Sequence, residues 1–166
     1  MPDLRESCEV LLREHGCSTA VIAHCRAVTD CALDLSSAST LVNRPLVEAG
    51  ARLHDIGRGT THTIDHAQTG ADLCRSLNIP EPVARIVECH TGAGLTADEC
   101  TLLRQIPRDC VPQSIEEKIV AHADNLVAGS RRTTVYETLD SAFHLNRKVR
   151  RRIYRLALEV EILCGR

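Results

Sequence analysis

The apolar residues of this 166-residue chain recur every three or four positions, so the chain is committed to helices. One such row is Val21, His24, Val28, Cys31 and Leu35; a second is Leu46, Ala49, Leu53 and Ile56; a third is Ile115, Ile119, Val120, Ala123 and Val127. A last row, Val149, Ile153, Leu156, Val160 and Leu163, forms a seam near the end of the chain. No strand-length segment alternates between turn signals, and neither an internal repeat nor a low-complexity linker interrupts the pattern. The expectation is an all-α, compact single-domain bundle of about seven to nine helices.

Gly, Pro, Asn and capping residues place the breaks. The first helix spans about Asp3 to His15 and stops at Gly16; Ser18 caps a second, which runs to about Leu35. Pro45 opens a third, which carries its stripe down to His54 and Asp55. Gly57 to Asp65 is a polar loop, and His66 opens a helix that ends at Asn78 and Pro80. Pro82 starts a helix from Val83 to about His90, stopped by Thr91-Gly92-Ala93-Gly94. His66 thus begins one helix and His90 ends the next, and antiparallel packing would bring the two together. Thr96 and Glu99 have capping-box spacing for a short helix to about Gln105, and Ser114 and Glu117 have the same spacing. Helices are expected over Thr133 to Asn146 and Arg147 to Leu163.

The whole length, 1–166, reads as one domain. A formal net charge of −2 and a pI near 6.4 exclude binding to nucleic acid or membrane by bulk charge. Nucleic acid is not an expected partner, and the basic turn Arg147-Lys148-Val149-Arg150-Arg151-Arg152 reads as a solvated helix face. With only Tyr136, Phe143 and Tyr154 as aromatics, base stacking has little to work with. No apolar run reaches a membrane span, and Met1-Pro2-Asp3-Leu4-Arg5-Glu6 lacks the order of a signal peptide, so a cytoplasmic location is expected. Nine cysteines, odd in number and without a Cys-x-x-Cys, read as reduced thiols packed in helices. The Val149 to Leu163 seam is assigned to the core, a homodimer through it being the alternative.

The chemistry gathers around Leu53-His54-Asp55-Ile56-Gly57-Arg58. Neighbouring side chains on a helix diverge by about 100°, so His54 and Asp55 converge on one ion only where the helix loosens, and Gly57 and Gly59 offer that loosening. Asp124 falls inside an apolar pattern, where an unpaired carboxylate is costly and takes a cation or several donors. His24, His54, Asp55, His66, His90 and Asp124 all sit at inward positions or helix ends. Imidazole mixed with carboxylate suits a divalent transition metal: Mn, Fe, Co, Ni or Zn, with Mg less favoured. Arg58 is a phosphate candidate of fixed charge. Arg131 and Arg132 are a second phosphate candidate, set against a reading as solvated surface. His62 is placed in the loop above the pair as a proton donor or substrate contact, and His15, His122 and His144 as structural.

The order His24, then His54-Asp55-Ile56-Gly57, then Asp124 within "IEEKIVAHADNL" resembles the HD superfamily of metal-dependent phosphohydrolases over roughly Thr19 to Arg132. The resemblance implies a motif core over 19–132 with the helices of 133–164 packed on it. It also implies one metal held by His24, His54, Asp55 and Asp124. His66 in "HAQTGADL" and His90 in "VECHTG" match the histidines that two-metal members add, with Asp55 as the bridge. The chain is similar to the HD hydrolases that cut diadenosine tetraphosphate symmetrically and, more distantly, to HD-GYP phosphodiesterases. It lacks Gly-Tyr-Pro, and Thr91 stands where HD-GYP members place a further histidine, which leaves the second site one ligand short. The implied activity is hydrolysis of a phosphate ester or anhydride of a nucleotide or similar small molecule by metal-activated water, with Asp55, Arg58 and His62 as catalytic candidates. The alternative is a non-catalytic regulatory module that holds a nucleotide or metal.

Overall fold

The computed structural model describes residues 4–165, so the expected opening of the first helix at Asp3 lies outside it. Among the described residues the fold consists of α1 Leu4–Glu14, α2 Thr19–Leu35, α3 Arg44–Leu53, α4 His66–Ser76, α5 Glu81–Cys89, α6 Ala97–Leu102, α7 Ile115–Asn125, α8 Val135–Ser141 and α9 Arg147–Leu163. The expected caps hold most of the starts. Ser18 accepts from the Val21 amide, Asn43 from Leu46, and Pro45 follows in the first turn of α3. Thr96 and Glu99 close a full capping box. At Ser114 only half of the box forms: its hydroxyl accepts from Glu117 N, but the Glu117 carboxylate reaches past it to the Gln113 amide.

Two apolar clusters lie on either side of the α2–α3 layer. In one, Val28, Cys31 and Ala32 of α2 meet Val47 and Ala51 of α3, Ile119, Val120 and Ala123 of α7, and Ile153, Leu156 and Val160 of α9. In the other, Cys8 and Leu12 of α1 meet Ile22 and Cys25 of α2, Leu53 of α3, Ala71 and Cys74 of α4, and Val83, Ala84 and Val87 of α5. The α9 seam is therefore core, with Ala157 added to it and Leu163 left partly exposed. On α3 the stripe is rotated from expectation: Val47, Gly50 and Ala51 are buried alongside Leu53, whereas Leu46 and Ala49 are half-buried. All nine cysteines are buried. No described helix is long and apolar enough to cross a membrane.

The segment after α7 departs most from the sequence reading. Val127–Ala128 and Arg131–Arg132 pair antiparallel as a two-residue hairpin, β1 and β2, turned by Gly129 at φ 62. Helix α8 is then shorter than expected, opening on a capping box of Thr134 and Glu137. The strands escape periodicity analysis because two residues are too few to alternate.

Two features hold the region around His54 rigid. A 3-10 turn, Ile56–Gly59, follows α3 directly, and fully buried Ile56 contributes roughly 1.5–3 kcal/mol by burial. Gly57 and Gly59 are not needed there for left-handed backbone; both are needed for close approach. A Cβ on Gly57 would lie 2.0 Å from the His66 carbonyl oxygen, and one on Gly59 would lie 1.9 Å from that of His15. Beneath α4 and α5, the buried Glu88 carboxylate accepts from Arg75, Arg85 and Arg108, at 2.8 to 3.1 Å. Burial would raise its pKa, but the three guanidinium groups lower it below the usual carboxylate range.

Gly57→Ala is expected to lose roughly 3 kcal/mol or more of stability, because the clash is with backbone that cannot step aside; a thermal or urea midpoint close to that of the wild type would refute the close-packing argument. Glu88→Gln leaves three arginines with a weakened acceptor and is expected to lose about 3 kcal/mol at neutral pH. Since the folded-state pKa of Glu88 is depressed, its contribution is present above the unfolded value and vanishes as pH falls through the folded one. The gap between wild type and Glu88→Gln in urea titrations should therefore close in acid.

Candidate metal centre

His54 ends α3 with helical backbone (φ −53, ψ −36), and Asp55 turns out of the helix (φ −99, ψ 15). This change of direction lets two adjacent side chains address the same space, with His54 Nε2 3.7 Å from Asp55 Oδ2. Helix α2 brings His24, α7 brings Asp124, the first turn of α4 brings His66, and the end of α5 brings His90. Asp124 Oδ1 lies 2.9 Å from His24 Nε2 and 3.6 Å from His54 Nε2. The Asp55 carboxylate faces both ways. Its Oδ2 lies 3.9 Å from His24 Nε2, while its Oδ1 lies 3.2 Å from His66 Nε2 and 3.5 Å from His90 Nε2.

The other ring nitrogen settles the state of all four imidazoles. Nδ1 of His24 lies 2.7 Å from the Gly129 carbonyl, that of His54 2.8 Å from Ala51, that of His66 2.7 Å from Thr63, and that of His90 2.6 Å from Val87. A carbonyl oxygen only accepts, so each Nδ1 carries the hydrogen and, in the neutral ring, each Nε2 presents a lone pair inward. His66 and His90 then oppose two such lone pairs at 3.0 Å. That contact is repulsive unless a proton or a metal ion lies between them or beside them. His54 Nε2 and Asp55 Oδ1 are buried with no hydrogen-bond partner, another deficit that a cation would remove.

Electrostatics point the same way. Burial would raise the pKa of Asp55, but His54, His66 and His90 press it far below the usual carboxylate range, and Asp124 is lowered by His24 and His54 against its burial. Both are ionised. Burial lowers the His90 pKa, so this ring stays neutral and able to donate its lone pair. Two overlapping groups, His24 with His54 and Asp124, and His54 with Asp55 and His90, each have ligand atoms within 4.8 Å of one another. Their chemistry fits a divalent transition metal.

The remaining candidates are placed differently. Arg58 donates its Nε to Asp55 Oδ2 at 2.8 Å and remains about one-third exposed, 32% by side chain. His62 is exposed on the loop before α4, apart from the contacts that join the other six. Arg131 and Arg132 lie exposed on β2, facing Glu137 at 3.6 Å and Asp34 at 2.9 Å. The structure does not bring these two into the cluster. The sequence reading missed the carbonyls that orient the rings. Three of them, Ala51, Val87 and Thr63, precede their histidine by three residues, a signal legible as a histidine closing or opening a turn. Gly129 lies on the unforeseen hairpin. Cys17 was also missed: its thiol, pushed up to about 11 by burial and so neutral, donates to the Ile56 carbonyl and ties the link between α1 and α2 to the 3-10 turn.

A family model described as HD domain matches residues 21–129. A tRNA (cytidine(56)-2'-O)-methyltransferase of Picrophilus torridus is 40% identical over 167 residues, covering 100% of this chain and 48% of that protein. The corresponding protein of Thermoplasma volcanium is 42% identical over 141 residues, 85% of this chain and 41% of its own length. This chain thus spans about half the length of these methyltransferase relatives or less. An uncharacterised protein of Methanocaldococcus jannaschii is 43% identical over 127 residues, 74% of this chain and 75% of that one. Among solved structures, the HD domain of the L. monocytogenes phosphodiesterase PgpH superposes with a TM-score of 0.54 at 17% identity, covering 89% of this chain and 93% of that one, a likeness of fold. From the family match over 21–129, and from His54 and Asp55 side by side at the turn after α3, the chain belongs to the HD domain family.

Proposed function

We propose that this protein is a metal-dependent phosphohydrolase that cleaves a phosphate ester or anhydride of a nucleotide or similar small molecule. The observation that carries this reading is the convergence of four inward-facing Nε2 atoms on the carboxylates of Asp55 and Asp124, with His54 Nε2 and Asp55 Oδ1 buried and without a hydrogen-bond partner. In this reading His24, His54, Asp55 and Asp124 would hold one ion, and His66 and His90 with Asp55 would hold a second. A divalent ion bound there supplies Lewis-acid polarisation of a phosphoryl oxygen and an acidified water. The chain's own part is to orient and to balance charge. The four Nδ1–H bonds lock the rings, and Asp55 offsets the cationic charge from a buried position. Arg58, on the exposed edge of that carboxylate, is placed to swing onto a phosphate oxygen. His62, exposed on the loop before α4, is assigned a proton-donor role. Arg131 and Arg132 become outer substrate contacts only if the substrate extends along the hairpin. The two longer relatives are named as tRNA-modifying enzymes, and a substrate with a nucleotide portion is compatible with those names.

Asp55→Ala is expected to lower bound metal, read by elemental analysis of the purified protein, and to reduce hydrolysis more than roughly 100-fold, beyond the loss seen when only an orienting partner is removed. Wild type loaded with Mn, Fe, Co, Ni or Zn in turn, and inert on a panel of nucleoside phosphate monoesters, diesters and dinucleoside polyphosphates, would sink the catalytic reading in favour of a regulatory module. Arg58→Ala separates two roles. A phosphate contact predicts full metal content with roughly 10- to 1000-fold slower turnover, whereas a mere support for Asp55 predicts loss of metal as well.

A further inference from the structure

A surface groove on α8 and α9 is lined by none of the His and Asp residues of the cluster. It encloses about 520 Å³ between Leu139, Arg147, Arg150, Arg151, Tyr154 and Arg155. Between 147 and 155 the chain places Arg147, Lys148, Arg150, Arg151, Arg152 and Arg155 with no carboxylate among them, although its net charge is −2. Arg152 is spent internally, on Glu99 and on the Gly94 carbonyl. Arg147, Arg150, Arg151 and Arg155 have no ion-pair partner among the described residues, and Arg150 Nε has no hydrogen-bond acceptor.

A solvated basic helix face would end there, but the aromatics are placed beside it. Tyr136, Phe143 and Tyr154 are the only three aromatics in the chain, and none is in either core cluster. Tyr136 is 69% exposed, Phe143 76% and Tyr154 40%. Tyr154 lines the groove, Phe143 lies under the Arg150 guanidinium at 5.0 Å, and Tyr136 sits one turn before Leu139 on α8. Phe143 and Tyr154, both exposed, lie beside arginines of α9 that have no ion-pair partner among the described residues, which presents the two elements a single strand requires. Cations track the phosphates, and rings stack on unpaired bases. A membrane surface would call for an apolar face able to enter the lipid, whereas this groove is edged by four guanidinium groups.

We propose that the α8–α9 groove is a docking site for single-stranded nucleic acid. Arg147, Arg150, Arg151 and Arg155 contact the backbone, and Tyr154 stacks on a base. The site is independent of the metal centre and of the proposed hydrolysis.

The test is fluorescence anisotropy of the full chain with a labelled single-stranded RNA of about 15 nucleotides, a span that a single small domain covers. The wild type should bind, with a salt dependence that reflects several neutralised phosphates. The triple variant Arg150→Ala, Arg151→Ala and Arg155→Ala should bind more than 10-fold more weakly and lose about 2 from the logarithmic salt slope, at roughly 0.7 per phosphate contact. Tyr154→Leu, which keeps the apolar bulk, should weaken binding by about 5-fold or more. Arg13→Ala, on the exposed face of α1, should bind like the wild type. If the triple variant does not fold, Arg151→Glu alone should still lower affinity several-fold. The proposal fails if the wild type does not bind below the roughly 10⁻⁴ M limit of non-specific affinity, or if the groove variants bind as well as the wild type. It fails equally if duplex RNA or anionic vesicles bind in preference to the single strand.

Discussion

Everything at the centre of this protein depends on four imidazole rings, each of which gives its Nδ1 hydrogen to a main-chain carbonyl. That bond holds the ring in one tautomer and one orientation, leaving Nε2 to face the interior with its lone pair. Four such nitrogens directed at two ionised carboxylates make an arrangement that is strained for a proton and satisfied by a cation. The His66 to His90 contact at 3.0 Å is the sharpest instance, because Nδ1 of each ring is engaged by a carbonyl and the two Nε2 atoms face each other. Gly57 and Gly59 belong to the same constraint. Both let backbones approach so closely that a single methyl group would collide, and that approach sets the distance between the Asp55 turn and the start of α4.

The two apolar clusters serve this geometry. With one on each side of the α2–α3 layer, the helix carrying His24 and the helix ending at His54 are clamped from both directions, so their polar ends stay in register with α7. The ring of arginines on Glu88 does a similar job one layer out, joining α4, α5 and the segment through Arg108 without entering the site. Membership of the HD family and the chemistry of the cluster lead to one functional reading, hydrolysis at a phosphate. The α8–α9 groove adds a surface with a different chemistry and a different class of partner.

Helical class, most helix starts and the convergence of six side chains were legible in the linear chain. Apolar spacing is set by the 3.6-residue turn and caps are set by side-chain reach, both local properties. The meeting of His66 and His90 was legible too, since one begins a helix and the other ends the next. Beyond that range the reading went astray. The hairpin after α7 was invisible because two residues per strand leave no alternation, and with it went the Gly129 carbonyl that orients His24. Arg131 and Arg132 are close to Asp124 along the chain, but the hairpin turns them outward to Glu137 and Asp34. The Ser114 capping box closed on Gln113 instead, and the buried face of α3 was rotated toward Val47 and Ala51.

By itself the sequence determined the helices, their order, and the residue types able to hold a metal, because periodicity, caps and donor chemistry travel with the residues. Only the tertiary structure decided which nitrogen of His24 faces inward, since its accepting carbonyl, Gly129, is brought to the ring by packing across 105 positions of the chain. It also decided why Gly57 and Gly59 are glycines, through contacts with residues distant along the chain. And it decided that Phe143 and Tyr154 lie beside the arginines of α9 on one exposed face, because the packing of α8 and α9 is a property that no local pattern records.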